Sequence, residues 1–118
     1  MKDTKTLKLN KDFRRLYYRG KSCVCRNIVL YCMKNRKASN RLGITCGKAV
    51  GKAVARNRAK RLVREGYRLL EDKLARGYDF VIVVRSAAAG KKLNDIYGDM
   101  LYAVKKLDLG ITAETLDK

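Results

Sequence analysis

The sequence predicts an α/β fold (an α+β sandwich) in which helices pack on a small mixed sheet of about four strands. Three observations predict it. Phe80–Val84 is an unbroken run of apolar β-formers, the pattern of a strand buried on both faces. Two longer stretches repeat apolar residues at helical spacing. In the first, Ala55, Ala59, Leu62, Val63, Gly66, Leu69 and Leu70 share one arc; in the second, Leu93, Ile96, Tyr97, Met100, Leu101, Val104 and Leu107 do. The chain has 118 residues, 47% of them apolar, which suits a single domain over 1–118.

In chain order, residues 1–9 show little pattern and read as a flexible arm. Asn10 reads as the N-cap of a helix over Lys11–Arg19, with Phe13, Leu16 and Tyr17 at helical spacing and Gly20 as its stop. Residues 21–26 give only a weak strand signal. Asn27–Met33 reads as a strand, 34–40 as a polar connection, and Arg41–Cys46 as a second strand weakened by Gly43. A long helix starts at Val50 or Ala53 and runs to Leu74, and Gly77 closes that region. Asp79–Val84 is the central strand. The last helix spans 93–107 despite Gly98, and 110–118 reads as a flexible tail.

Charge narrows the function. The net charge is +18, and residues 1–64 hold twenty of the basic side chains against two acids, Asp3 and Asp12. An excess confined to one half of the chain points to a polyanionic partner, nucleic acid first. The absence of histidine removes the commonest general base and zinc ligand. The longest apolar run, Ile28–Met33, is too short to span a bilayer, and no secretory signal is expected; an anionic membrane surface is the runner-up partner but is not expected.

The basic residues concentrate in 48–64. Lys48, Lys52, Arg56, Arg58, Lys60, Arg61 and Arg64 occur there with no acid, and the wheel places Arg56, Asn57, Lys60, Arg61, Arg64 and Arg68 opposite the apolar arc. Such a face can track a sugar–phosphate backbone. The pattern Lys48-x-Val50-x-x-Ala53-Val54-x-Arg56-Asn57-x-x-Lys60-Arg61-x-x-Arg64 resembles the RNR motif of the bacterial ribonuclease P protein family. Phe13-x-x-x-Tyr17-x-x-Gly20, Val29-Leu30-Tyr31, Arg41-Leu42-Gly43-Ile44 and Asp79–Arg85 extend the resemblance over about residues 10 to 106.

That resemblance implies a subunit that binds a catalytic RNA and the 5′ leader of precursor tRNA. The leader is removed by the RNA with Mg2+ held mainly by that RNA, and no catalytic or metal-ligating residue is expected in this chain. It further implies a left-handed βαβ crossover, a cytoplasmic bacterial location, and one monomeric protein per catalytic RNA. Carried over by position, Lys48, Lys52, Arg56, Asn57, Arg58, Lys60, Arg61, Arg64 and Arg68 face the catalytic RNA. Phe13, Tyr17 and Tyr31 floor the leader cleft, where rings stack on any base. Position 17 is more often phenylalanine in the family, and tyrosine keeps the ring.

Other readings compete. Spacing alone places Phe13, Leu16 and Tyr17 in a core, and Tyr31 is equally suited to packing. Cys23, Cys25, Cys32 and Cys46 lack paired zinc-knuckle spacing. Cys32 and Cys46 read as small buried apolar residues, whereas Cys23 and Cys25 lie beside the basic region, where a thiol can be reactive. Asp95 and Asp99 share a helix face, which more often is simply solvated. A ribosomal-type RNA binder would have the same size and charge. A free-standing metal nuclease lacks a convincing acidic cluster, and a membrane-surface helix would carry larger apolar residues than this alanine-rich arc.

Overall fold

The computed structural model describes residues 3–110. It contains β1 (Lys5–Thr6), α1 (Asn10–Arg19), β2 (Lys21–Val24), β3 (Ile28–Lys34), β4 (Arg41–Cys46), α2 (Ala53–Leu70), β5 (Tyr78–Val84) and α3 (Leu93–Lys106). The strands form one mixed sheet in the order β1-β4-β5-β3-β2. β5 is central, parallel to β4 and antiparallel to β3, so α2 lies in the crossover between two adjacent parallel strands.

The sheet has five strands rather than about four. The weak signal at 21–26 is β2, which pairs with β3 through Lys21↔Cys32 to Val24↔Val29. The arm read over residues 1–9 contains β1, because Lys5 and Leu7 donate backbone bonds to Asn40 and Leu42 at 2.9 Å each. Leu7 is buried beside Leu16 and Val81. A two-residue strand has no periodicity to read, so only tertiary pairing reveals it. The expected tail at 110–118 lies outside the described residues after Gly110.

Period-two alternation divides β3 and β5 between two cores. Ile28, Leu30 and Cys32 join Phe80, Ile82 and Val84 under α2 and α3, where Val63, Tyr67, Leu70, Ile96, Met100 and Val104 complete the larger core. Val81, with Leu7 and Leu16, forms a smaller core under α1 on the opposite face. Leu69 belongs to the expected apolar arc but is 54% exposed, while Tyr67 is 2% exposed. The docked stripe of α2 is thus rotated toward Tyr67, whose hydroxyl meets the Thr4 hydroxyl at 2.7 Å.

Helix ends also differ from expectation. The N-cap of α1 is Leu9, with no side-chain cap, and Asn10 is already helical. α2 ends at Leu70 and tightens into a 3-10 turn over Glu71–Lys73. At the start of α3 the Asp95 carboxylate accepts the Lys92 backbone N–H at 3.0 Å, satisfying an amide that the helix leaves unpaired.

Candidate nucleic-acid interface

α1 crosses the strands on one face of the sheet. Phe13 lies over Gly43 of β4, Leu16 packs with Val81 of β5, and Tyr17 meets Tyr31 of β3. Gly43, Val81 and Tyr31 are register partners, so α1 follows that row. The close approach requires glycine at 43, where a Cβ would sit 2.5 Å from Phe13 Cζ. Leu16 is fully buried, as its core reading anticipates.

On one flank of α1 the floor is aromatic. The Tyr17 and Tyr31 rings are 5.0 Å apart at 70°, an edge-to-face contact, and Tyr17 remains 41% exposed. Tyr31 and Phe13 are half-buried. The next register row, Val29–Val83–Thr45, is also only half-buried, so α1 leaves this strip of sheet partly uncovered. The same end of the sheet leads from Cys46 into the basic segment.

A 3-10 turn over Lys48–Val50 follows, anchored by buried Val50. Gly51, at φ 141°, then turns the chain into α2. Lys48, Lys52, Asn57, Arg61, Arg64 and Arg68 are exposed, and Arg56, Arg58 and Lys60 are half-buried. Burial pushes the Cys46 thiol up while Lys60 and Arg56 pull it down, which places those two cations beside the end of β4. The basic side of α2 and the aromatic flank of α1 thus meet the sheet on opposite faces but near the same end.

The other flank of α1 holds a charged network that the sequence reading missed. Arg41 donates to Asp79 at 2.8 and 2.6 Å and lies 3.6 Å from Asp12. Arg15 donates to Asp12 at 2.8 Å, and the Asn35 amide donates to Asp79 at 2.9 Å. Burial pushes the Asp79 carboxyl up, but Arg41, Asn35 and Arg15 outweigh it and hold its pKa below the usual carboxylate value. The available signals were an acid opening an apolar strand and one of only two acids within the basic half.

The remaining acids and thiols have structural surroundings. Asp99 accepts the Asn27 backbone N–H at 2.8 Å, so neither Asp95 nor Asp99 is merely a solvated acid. Cys23 and Cys25 are buried, against the reactive reading. Burial, with Cys23 and Asp99 nearby, pushes the Cys25 thiol up to about 12, far from thiolate at neutral pH. Cys32 is buried and Cys46 half-buried. Among the described residues no three His, Cys, Asp or Glu side chains gather where they could hold a metal ion. No helix there is long and apolar enough to cross a membrane.

Fold and surface together define a small α+β protein with a strongly basic helix on one face of its sheet and an aromatic strip on the other, near the same end, a surface suited to a polyanion. A family model described as Ribonuclease P matches residues 1–108. The ribonuclease P protein component of Clostridium botulinum (strain Langeland) is 46% identical over 107 residues, covering 90% of this chain and 96% of that protein. That of Clostridioides difficile (strain 630) is 40% identical over 109 residues, covering 92% and 96%. The structure of the Staphylococcus aureus RNase P protein superposes with a TM-score of 0.80 at 30% identity, covering 88% of this chain and 95% of that one. The Thermotoga maritima RNase P protein gives 0.75 at 29%, covering 83% and 93%. The chain belongs to the ribonuclease P protein family. Membership makes it a component of an endoribonuclease of tRNA processing, with the ribonuclease P RNA as the implied partner.

Proposed function

We propose that this chain binds the ribonuclease P RNA through the basic side of α2 and the single-stranded 5′ leader of precursor tRNA through the aromatic flank of α1. In this reading it promotes metal-dependent removal of the leader. The observation that carries it is the pairing of Tyr17 with Tyr31 on a partly uncovered strip of sheet, at the end where the Lys48–Arg68 segment begins. Exposed rings offer stacking platforms tolerant of any base. The cations of α2 neutralise phosphates and release counterions, which gives affinity that falls steeply with salt.

The chemistry is assigned to the RNA subunit. Asp95 caps a helix, Asp99 accepts a backbone amide, and Asp12 and Asp79 pair with arginines, while among the described residues no three potential metal-ligating side chains gather. Mg2+, when bound in the complex, would be held by RNA phosphates and would activate the attacking water, and the protein would contribute position and charge. One monomer, acting as a single cytoplasmic RNA-binding domain, serves each catalytic RNA.

Reconstitution tests this. The protein is mixed with a bacterial ribonuclease P RNA and precursor tRNA at magnesium too low for the RNA alone. Mature 5′ ends are expected only when both subunits are present. Cleavage by the protein alone contradicts the assignment of chemistry to RNA, and tight RNA binding without cleavage favours a purely structural RNA binder.

A further inference from the structure

Beyond the leader cleft, the outer side of α1 carries an unassigned surface. At about 100° per residue, Tyr17, Arg14, Tyr18, Lys11, Arg15 and Arg19 follow one another around the helix in steps of about 20–60°. They lead from the aromatic flank over the crest to the charged flank. Tyr18, on the crest, is 88% exposed. Lys11, Arg14, Arg15 and Arg19 surround it.

Past the crest lies an open groove of about 770 Å3 between α1 and the β3–β4 turn. Lys34, Arg36 and Lys37 form its far wall. The turn that presents them is held in place. Arg36 adopts φ 59°, an uncommon conformation for a non-glycine residue. Asn35 Oδ1 accepts the Lys37 backbone N–H at 2.8 Å, and the Asn35 amide reaches Asp79. The groove's one acid, Asp12, is already neutralised by Arg15 and Arg41. Among the described residues, Lys11, Arg19, Lys34, Arg36 and Lys37 have no carboxylate within ion-pair distance.

We propose that this belt is a second single-stranded RNA site: the leader, after leaving the aromatic flank, crosses α1 with a base stacked on Tyr18 and lays its phosphates in the basic groove. This rests on the reading of the aromatic flank as the leader cleft. An exposed ring ringed by cations, next to a groove lined by unpaired cations, fits a flexible polyanion with π-faces. The site therefore serves precursors with long leaders and adds nothing for short ones.

The test uses the reconstituted holoenzyme and precursor tRNAs with leaders of increasing length. Wild type is expected to gain affinity in two steps, the first for the aromatic flank and the second for the belt. Tyr18→Ala and Lys11→Glu/Lys37→Glu are each expected to remove the second step, a loss of about tenfold for the longest leader, and to leave the first intact. Tyr18→Phe keeps the ring and is expected to keep both steps. Tyr31→Ala reports separately on the aromatic flank through the first step. If Tyr31→Ala removes that step while the belt variants match wild type at every length, only the belt is refuted. If Tyr31→Ala leaves the first step unchanged, the cleft reading fails and the belt falls with it. Equal losses for the belt variants at all lengths also overturn the inference, since they mark a general effect of charge or structure.

Discussion

The two faces of the sheet are built on different physics. Under α2 and α3 the interior is closed and apolar, with Phe80, Ile82, Tyr67 and Ile96 at 1–2% exposure. Under α1 a narrow apolar row, Leu16 on Val81, separates a buried ion-pair network from a partly open aromatic strip. The first face holds the domain together by area removed from water. The second keeps polar and aromatic groups near the surface and retains order through paired charges and one close helix–sheet approach. The difference shows that a helix–sheet face can stay partly open where its buried carboxylates are paired with arginines.

Breaking the network is expected to have the largest effect. Asp79→Ala leaves Arg41 beside a lost partner in a mostly buried site, and such breaks cost about 3–5 kcal/mol. Urea unfolding at neutral pH measures it. The network also sets an acid limit. Because folding depresses the Asp79 pKa, its contribution is present above the unfolded carboxylate value and is lost as pH falls through the lower folded value. Stability of wild type is therefore expected to fall more steeply below about pH 4 than that of Asp79→Asn.

Gly43→Ala comes next. Its Cβ overlaps the Phe13 ring, and overpacking of this kind costs about 1–3 kcal/mol. Because the ring must lift from the sheet, the same variant is expected to weaken binding of leader-bearing precursor more than leaderless tRNA. Equal binding losses would show that Phe13 serves only packing.

The smallest effect tests the edge strand. Tyr67→Phe removes the hydroxyl contact to Thr4, worth about 1 kcal/mol. Amide exchange at Lys5 and Leu7 is expected to accelerate while that in β5 is unchanged. Uniform acceleration would mean that Tyr67 supports the whole core rather than the tether of β1.

Much of the larger core was legible because its signals are local. The run Phe80–Val84 and the spacing of Ile96, Met100 and Val104 describe a central strand and a docked helix stripe without reference to any other segment. The α1 face was less so. Leu16 was recognisable as core, but the Asp12–Arg41–Asp79 network joins residues from three elements, and no spacing rule connects them. β1 is two residues long and depends wholly on β4. The rotation of α2 toward Tyr67 and away from Leu69 reflects how the helix sits on the sheet, which a helical wheel does not contain. The basic segment and the aromatic positions were readable through the family's motif spelling. Their mutual placement at one end of the sheet required the topology.

In the proposed function the basic side of α2 and the aromatic flank of α1 divide the labour between them. The most direct measurement compares two variants in the same reconstituted system, Arg61→Glu/Arg64→Glu and Tyr31→Ala. Each is assayed for affinity to the ribonuclease P RNA and for affinity of the assembled complex to precursor against leaderless tRNA. The account predicts that the double charge reversal weakens assembly with the RNA and lowers the salt dependence by about one unit of slope per lost phosphate contact. It predicts that Tyr31→Ala leaves assembly intact and loses affinity only for the precursor. The same pattern of losses in both variants would contradict it.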